Sequence, residues 1–282
     1  MFSYRHTFHA GNHADVLKHM ILVHLIRHFQ QKDKGVLIVD THAGAALHDL
    51  NSRFAQKNAE YESGIGRLWT LKVLPAALES YREQIRSVNP SPGSLAIYPG
   101  SAQIAFQLLR RQDRLRMYEL HSTEGRQLEQ HFRDSAPRAI AQLEDGFERL
   151  RSQLPPPTRR GLVLIDPPYE DKADYQRAIV ALRDAFDRFA TGTYALWYPI
   201  VRRRESHELP ERLKRLAKGS WLNVSLTICS PPDDGHGLYG SGMFIFNPPW
   251  TLPKVLRECM PFLTATLGQD ESAAYTLDSH IA

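Results

Sequence analysis

Short runs of β-branched and aliphatic residues recur along the chain: GVLIVD at 35–40, RLRMYEL at 114–120, GLVLID at 161–166, TYALWYPI at 193–200, WLNVSLTIC at 221–229 and GMFIFN at 242–247. Longer amphipathic stretches separate them. Strands this apolar are buried on both faces, and helical crossovers supply the cover. The alternation therefore predicts an α/β fold, a mostly parallel, doubly wound sheet with helices on both sides. Ahead of the first strand, residues 12–31 place Val16, Leu17, Met20, Ile21, Val23, Leu25, Ile26 and Phe29 on the broad stripe of one helix. Only 47–92 breaks the rhythm: it carries helical segments and no convincing strand, and runs into the loop NPSPGS. It reads as a small helical insertion within one domain spanning 1–282.

At 282 residues and 42% apolar, the chain can bury a sizeable core. Its 35 Lys and Arg against 31 Asp and Glu, with an isoelectric point near 9.0, permit a polyanionic partner without requiring one. Cys229 and Cys259 are too few for a disulfide framework or a cysteine zinc site, as a reducing cytoplasm would have it. No apolar run approaches bilayer length, and the polar, His-rich N-terminus lacks a signal-peptide core. The expectation is a soluble, cytoplasmic protein with no membrane partner.

An open α/β sheet binds nucleotide-like ligands at the carboxyl ends of its strands. VLIVDTHAGAALHDL has the form of such a strand and loop, yet its loop holds a single glycine, Gly44, among alanines. That is no G-x-G-x-x-G pattern, which argues against hydride transfer with a dinucleotide. One glycine with small neighbours suits an adenosyl group without phosphates, as in S-adenosylmethionine; an ordinary strand-to-helix turn would look the same. Glu119 closes the second strand run, and Asp145 with Gly146 follows where a short strand or loop is expected. Each alone reads as a strand-end charge or a plain turn. Their order after Asp40, one per successive strand, favours a shared ligand.

GLVLIDPPYED at 161–171 carries the sharpest chemistry. The exocyclic amine of adenine is a poor nucleophile because its lone pair is delocalised into the ring. An enzyme that alkylates it must hold both amine hydrogens with acceptors. Asp166 offers a carboxylate and Pro167 a carbonyl. Two prolines bring no N–H and stiffen the loop, and Tyr169 offers a ring for an extruded base. A rigid strand-exit turn is the alternative. NPPW at 247–250 has nearly the same composition, but it ends the last strand candidate, whereas Asp166 follows a strand expected beside the first. NPPW, with Trp250 packing a sheet edge, and Pro231-Pro232 are assigned to structure. The clustered His6, His9, His13 and His19 have neither a cysteine nor an acidic pair beside them, so no metal is expected.

Taken together, SYRHTFHAGNHADVLKH at 3–19, DTHAGA at 40–45, YPGS at 98–101, DGF at 145–147, LIDPPYE at 164–170, LWYP at 196–199 and SGM with NPPW at 241–250 resemble the RlmJ-type 23S ribosomal RNA adenine-N6 methyltransferases. The likeness spans essentially the whole chain, and its N-terminal motif is more specific than Asp-Pro-Pro-Tyr, which many amino-methyltransferases share. It implies a Rossmann-like class I S-adenosylmethionine-dependent methyltransferase with a small helical insertion. The implied substrate is one adenine of 23S rRNA, protein-free or in an early assembly intermediate, and the implied state a monomer. It implies cofactor contacts at His19, His42, Ser101, Glu119, Asp145, Gly146 and Asp166, catalysis at Asp166, and an RNA contact at Tyr4. Lys18 sits in the same motif as an aid to catalysis through Asp166 or the cofactor carboxylate, or else as a helix-surface lysine. GAALH at 44–48 departs from the family's GAGRY and puts close contacts of Ala46 to His48 in doubt. RNA phosphates are expected at Arg202, Arg203 and Arg204, with Arg5, Arg110, Arg111, Arg159 and Arg160 as lesser candidates. The alternatives are a DNA adenine-N6 methyltransferase, a protein-glutamine methyltransferase, and a catalytically silent RNA-binding module.

Overall fold

The computed structural model describes residues 8–89, 91, 93–233 and 237–281. In chain order it runs α1 (His13–Gln30), β1 (Leu37–Asp40), β2 (Leu47–Asp49), α2 (Arg53–Asn58), α3 (Glu60–Ser63), α4 (Ile65–Trp69), α5 (Ala76–Arg86), β3 (Ile97–Pro99) and α6 (Ser101–Leu108). It continues β4 (Arg114–Tyr118), α7 (Ser122–Phe132), β5 (Ala139–Gln142), α8 (Gly146–Gln153), β6 (Gly161–Ile165), α9 (Ala173–Arg188), β7 (Thr193–Ile200) and α10 (Arg204–Leu216). β8 (Trp221–Thr227), β9 (Gly240–Phe246), α11 (Leu252–Leu267) and β10 (Ala274–His280) complete it.

Eight strands form one sheet in the order β10-β8-β9-β7-β6-β1-β4-β5. The five from β7 to β5 pair in parallel, while β9 lies antiparallel between β7 and β8, and β10 is antiparallel to β8. Side chains alternate across this sheet as the pleat requires. Ile38, Leu115, Met117, Leu162 and Leu164 enter a core shared with α1, α5, α6, α7 and α11. Leu37, Val39, Tyr118, Val163 and Ile165 enter a second core shared with α8, α9 and α10. The sheet is thus doubly wound, as the runs predict.

Helix α1 is not amphipathic in effect, because α5, α6, α11 and the sheet enclose it. Val16, Leu17, Ile21, Leu25 and Ile26 are fully buried, each contributing about 1.5–3 kcal/mol by area. Asn12 caps its start by accepting from the backbone N–H groups of Ala14 and Asp15. This buried helix brings Lys18 and His19 to the sheet's carboxyl edge, beside Asp166.

Residues 47–92 hold α2 to α5, and also β2, which pairs antiparallel with β3 through Leu47–Pro99, His48–Tyr98 and Asp49–Ile97. These three-residue strands were absent from the sequence expectation, being too short to show an alternation. Glu60 of α3 accepts from Asn12 Nδ2 at 2.9 Å and pairs with His9 Nδ1 at 2.9 Å, and the Ile65 N–H donates to the Gly11 carbonyl at 2.8 Å. The segment is thereby tied to the loop ahead of α1. β10 was missed as well, since its residues are exposed or half-buried on both faces and carry no apolar pattern. Among the described residues, no helix is long and apolar enough to cross a membrane.

Candidate active site

Because β1, β4, β5 and β6 run parallel, their carboxyl ends share one edge, and topology alone gathers Asp40, Glu119, Asp145 and Asp166 there. Glu119 lies just past β4. Its Oε2 accepts the Gly44 N–H at 2.8 Å and its Oε1 the His121 N–H at 2.7 Å. Gly44 takes φ +57, so the β1 loop turns back where other residues would be strained. Asp145 caps α8 through the Phe147 and Glu148 N–H groups and pairs with Arg177 at 2.5 Å. Gly146 is required by close approach: a Cβ there would stand 1.9 Å from the Thr41 carbonyl oxygen.

Ser101 opens α6 and its hydroxyl bonds Asp40. His42 lies edge-on to Phe147 at 4.6 Å, and burial pulls its pKa down to about 3, leaving a neutral imidazole. His19 stacks on Tyr98, with Nδ1 2.7 Å from the tyrosine oxygen. His19, His42, Ser101, Glu119, Asp145 and Gly146 line one cleft of about 890 Å³ of empty space, open solvent included, together with Lys18, His48 and Arg177. Arg177 was invisible in the sequence, since nothing marks one arginine on an exposed helix face as turning inward. His48, the last residue of the GAALH departure, reaches the cleft from β2.

Asp40 Oδ2 is buried and meets no hydrogen-bond partner among the described residues. Burial, aided by the nearby Asp166 charge and opposed by Ser101, raises its pKa to about 7. Its folded value thus lies above the unfolded 3.8, so its stabilising contribution is full below about 3.8 and is lost as pH rises through about 7. Asp40→Asn removes that loss. The ligand-free variant should match wild type at pH 4 and exceed it at pH 8 by on the order of 3–4 kcal/mol. Denaturation midpoints at the two pH values check this; an identical gap at both would mean Asp40 does not titrate between them.

A second cavity lies against the first. It is lined from α1 by His13, Asp15 and Lys18, from the β6 exit by Asp166, Pro168 and Tyr169, and from β7 and its exit by Trp197, Arg202 and Arg203. Lys18, Asp166 and Pro168 line both cavities. The Lys18 ammonium donates to Asp166 Oδ2 at 2.5 Å and to Asp15 Oδ1 at 2.8 Å. Burial works against that charge, but Asp15 and then Asp166 outweigh it and hold the pKa above the usual lysine range. At 3% exposure, Lys18 is no helix-surface lysine.

Among the described residues, no donor reaches Asp166 Oδ1 or the Pro167 carbonyl. Tyr169 closes the loop at φ +52, and its hydroxyl donates to the Trp197 carbonyl at 2.8 Å. Its ring packs on Tyr175 and Trp197 at 4.5 and 5.9 Å and is 3% exposed, so it meets the cavity without an open stacking face. Trp197 is less buried and lines the same cavity, with the Lys18 ammonium 5.8 Å from its ring centre. The sequence reading gave it no role, for β7 is apolar throughout and its facing was not resolved.

Of the other double prolines, Pro231-Pro232 lies near the second cavity, the Pro231 carbonyl accepting from Arg202 at 3.4 Å, and NPPW lies elsewhere. In NPPW it is Asn247 that takes positive φ, +50, and its amide donates to the Ala190 and Gly192 carbonyls. Phe246 pairs with Tyr194 at the start of β7, so this turn lies at the opposite edge of the sheet. Trp250 is 76% exposed and does not pack a sheet edge. Arg110 and Arg160 also sit at the amino edge, bound to carbonyls of the turn after α1. Arg203 donates to the Tyr169 carbonyl at 2.9 Å, and Arg204 pairs with Glu208 away from the cavity. Tyr4, Arg5 and His6 lie outside the described residues. Among those described, no group of three His, Cys, Asp or Glu side chains is placed to hold a metal ion.

Residues 33–279 match the family model described as "Ribosomal RNA large subunit methyltransferase D, RlmJ". A Haemophilus influenzae protein named ribosomal RNA large subunit methyltransferase J is 41% identical over 278 residues, covering 99% of this chain and 98% of its own. An Escherichia coli K12 protein of the same name is 44% identical over 267 residues, covering 95% and 94%. The crystal structure of a Legionella pneumophila protein, 33% identical, superposes with a TM-score of 0.86 over 96% of this chain and 98% of that one.

Proposed function

The chain belongs to the RlmJ family of ribosomal RNA large subunit methyltransferases, and on that premise we propose that it methylates the N6 amine of one adenine in 23S ribosomal RNA at the Lys18–Asp166 junction. The observation that carries this reading is the meeting of two cavities at Lys18, Asp166 and Pro168. The first cavity suits S-adenosylmethionine in its donor set: a neutral His42, acceptors at Glu119 and Asp145, a glycine cradle at Gly146, and no phosphate-binding glycine series. His19, His42, Ser101, Glu119, Asp145 and Gly146 would hold it, and when bound it supplies an electrophilic sulfonium methyl. The second cavity, with Trp197 and Tyr169, takes the base, and Tyr4 is assigned to contact with the RNA.

Methyl transfer is then largely positioning. Lys18 fixes one oxygen of Asp166, leaving Oδ1 and the Pro167 carbonyl as acceptors for the two amine hydrogens. Held in that way, the nitrogen lone pair leaves the ring's π-system and points toward the first cavity. Positive charge that develops on nitrogen falls against Asp166, which takes the proton or passes it to water. No step calls for a metal.

The substrate we propose is protein-free rRNA or an early assembly intermediate, and the enzyme a cytoplasmic monomer. Labelled S-adenosylmethionine offered with protein-free rRNA, intact subunits, DNA and a protein extract tests the reading. Label is expected as N6-methyladenine in the rRNA, and label confined to DNA or protein would overturn it.

Arg202 and Arg203 flank the base cavity and are the phosphate contacts of choice. Arg202→Ala combined with Arg203→Ala should weaken RNA binding and reduce its salt slope by about 1–2. RNA titrations at several salt concentrations measure both, and an unchanged slope would remove these arginines from the interface.

A further inference from the structure

Lys18 is held between two carboxylates: Asp166 lies where the two cavities meet, whereas Asp15 lines the second cavity alone. Asp15 lies one helical turn earlier on α1, is 1% exposed, and accepts from Lys18 Nζ at 2.8 Å through Oδ1. Its Oδ2 accepts the Gly11 N–H at 2.8 Å. An isolated Lys18–Asp166 pair would be neutral. Its carboxylate would be drained by a full, charge-assisted hydrogen bond, and a poor acceptor for an amine that is becoming positive. With Asp15 the buried triad carries one net negative charge, and the ammonium is shared.

We propose that Asp15 is a positioning residue for methyl transfer: it draws the Lys18 ammonium partly away from Asp166 and supplies the triad's net negative charge, so that Asp166 stays a strong acceptor. Asp15 does not touch the base through this role; it acts through Lys18. The inference rests on the reading that Asp166 receives the adenine amine.

Asp15→Asn retains an oxygen for the Gly11 N–H and removes the charge. In steady-state rRNA methylation its kcat should fall about 10–100-fold, with KM for RNA and cofactor changed less than about threefold. Lys18→Met alone should also be impaired. Combining Asp15→Asn with Lys18→Met restores a single negative charge on Asp166, and the double variant should therefore be at least about fivefold more active than Asp15→Asn. A purely structural Asp15 gives no such rescue, because the losses would then multiply. Thermal melting and cofactor titration establish that each variant is folded; should Asp15→Asn not fold, Asp15→Glu, which keeps the charge, takes its place with near-wild-type kcat expected. Wild-type kcat in Asp15→Asn, a double variant no better than the product of the singles, or a kcat loss in Asp15→Glu equal to that of Lys18→Met overturns the inference. Failure of the wild-type enzyme to methylate adenine in rRNA would instead overturn the functional reading beneath it.

Discussion

Asp166→Ala is expected to lower methyl transfer by about 10³-fold while cofactor binding stays measurable. The expectation follows from what remains after the side chain is removed. The Pro167 carbonyl still offers one acceptor, but the charged one is gone, and the lost interaction strengthens as nitrogen becomes positive, so it is felt in kcat more than in KM. The fold should survive, because Lys18 keeps Asp15 at 2.8 Å and is not left as an unpaired buried charge. Asp166→Asn is a stricter version. It preserves shape and one oxygen, yet its amide must direct N–H donors at either the Lys18 ammonium or the adenine amine, both of which are donors themselves. Single-turnover methylation with saturating cofactor, beside a calorimetric cofactor titration, separates the two effects. Near-normal turnover in either variant would dismiss Asp166 as the acceptor.

The strands that hold this carboxylate were legible because β1, β6 and β7 are buried on both faces, and burial of that kind writes an unbroken apolar run. The four acidic positions were legible for a related reason, since parallel topology turns sequential strand ends into neighbours in space. Side-chain direction was not. Nothing in PPYE says that Tyr169 adopts φ +52 and is packed between Tyr175 and Trp197, which transfers the exposed aromatic surface of the base cavity to Trp197. Arg177 and Asp15 were hidden similarly: each is an ordinary charged residue on a helix, and only the packing of that helix turns it inward. The exposed β10 and the three-residue β2 and β3 left no periodicity to read, because a strand solvated on both faces or shorter than two alternations has none.

Lys18→Met should be the most destabilising of the conservative substitutions at this site, by about 3–5 kcal/mol near pH 8. Methionine replaces the buried stem without opening a large void, so the cost comes from charge. Asp15 and Asp166, held within 2.8 and 2.5 Å of one ammonium in the wild type, would face each other's charge with no cation between them. Two facing buried carboxylates with no cation between them disfavour the charged form in the folded state, a cost that protonation relieves. The deficit relative to wild type should accordingly be largest at pH 7–8 and shrink as pH falls toward about 4. Denaturant unfolding of both proteins at pH 8 and pH 5 measures it. Equal deficits at the two values would mean that lost packing, not an unbalanced pair of carboxylates, is what the substitution costs. Adding Asp15→Asn should recover much of the stability at pH 8, because it removes one of the two charges that Lys18 balances.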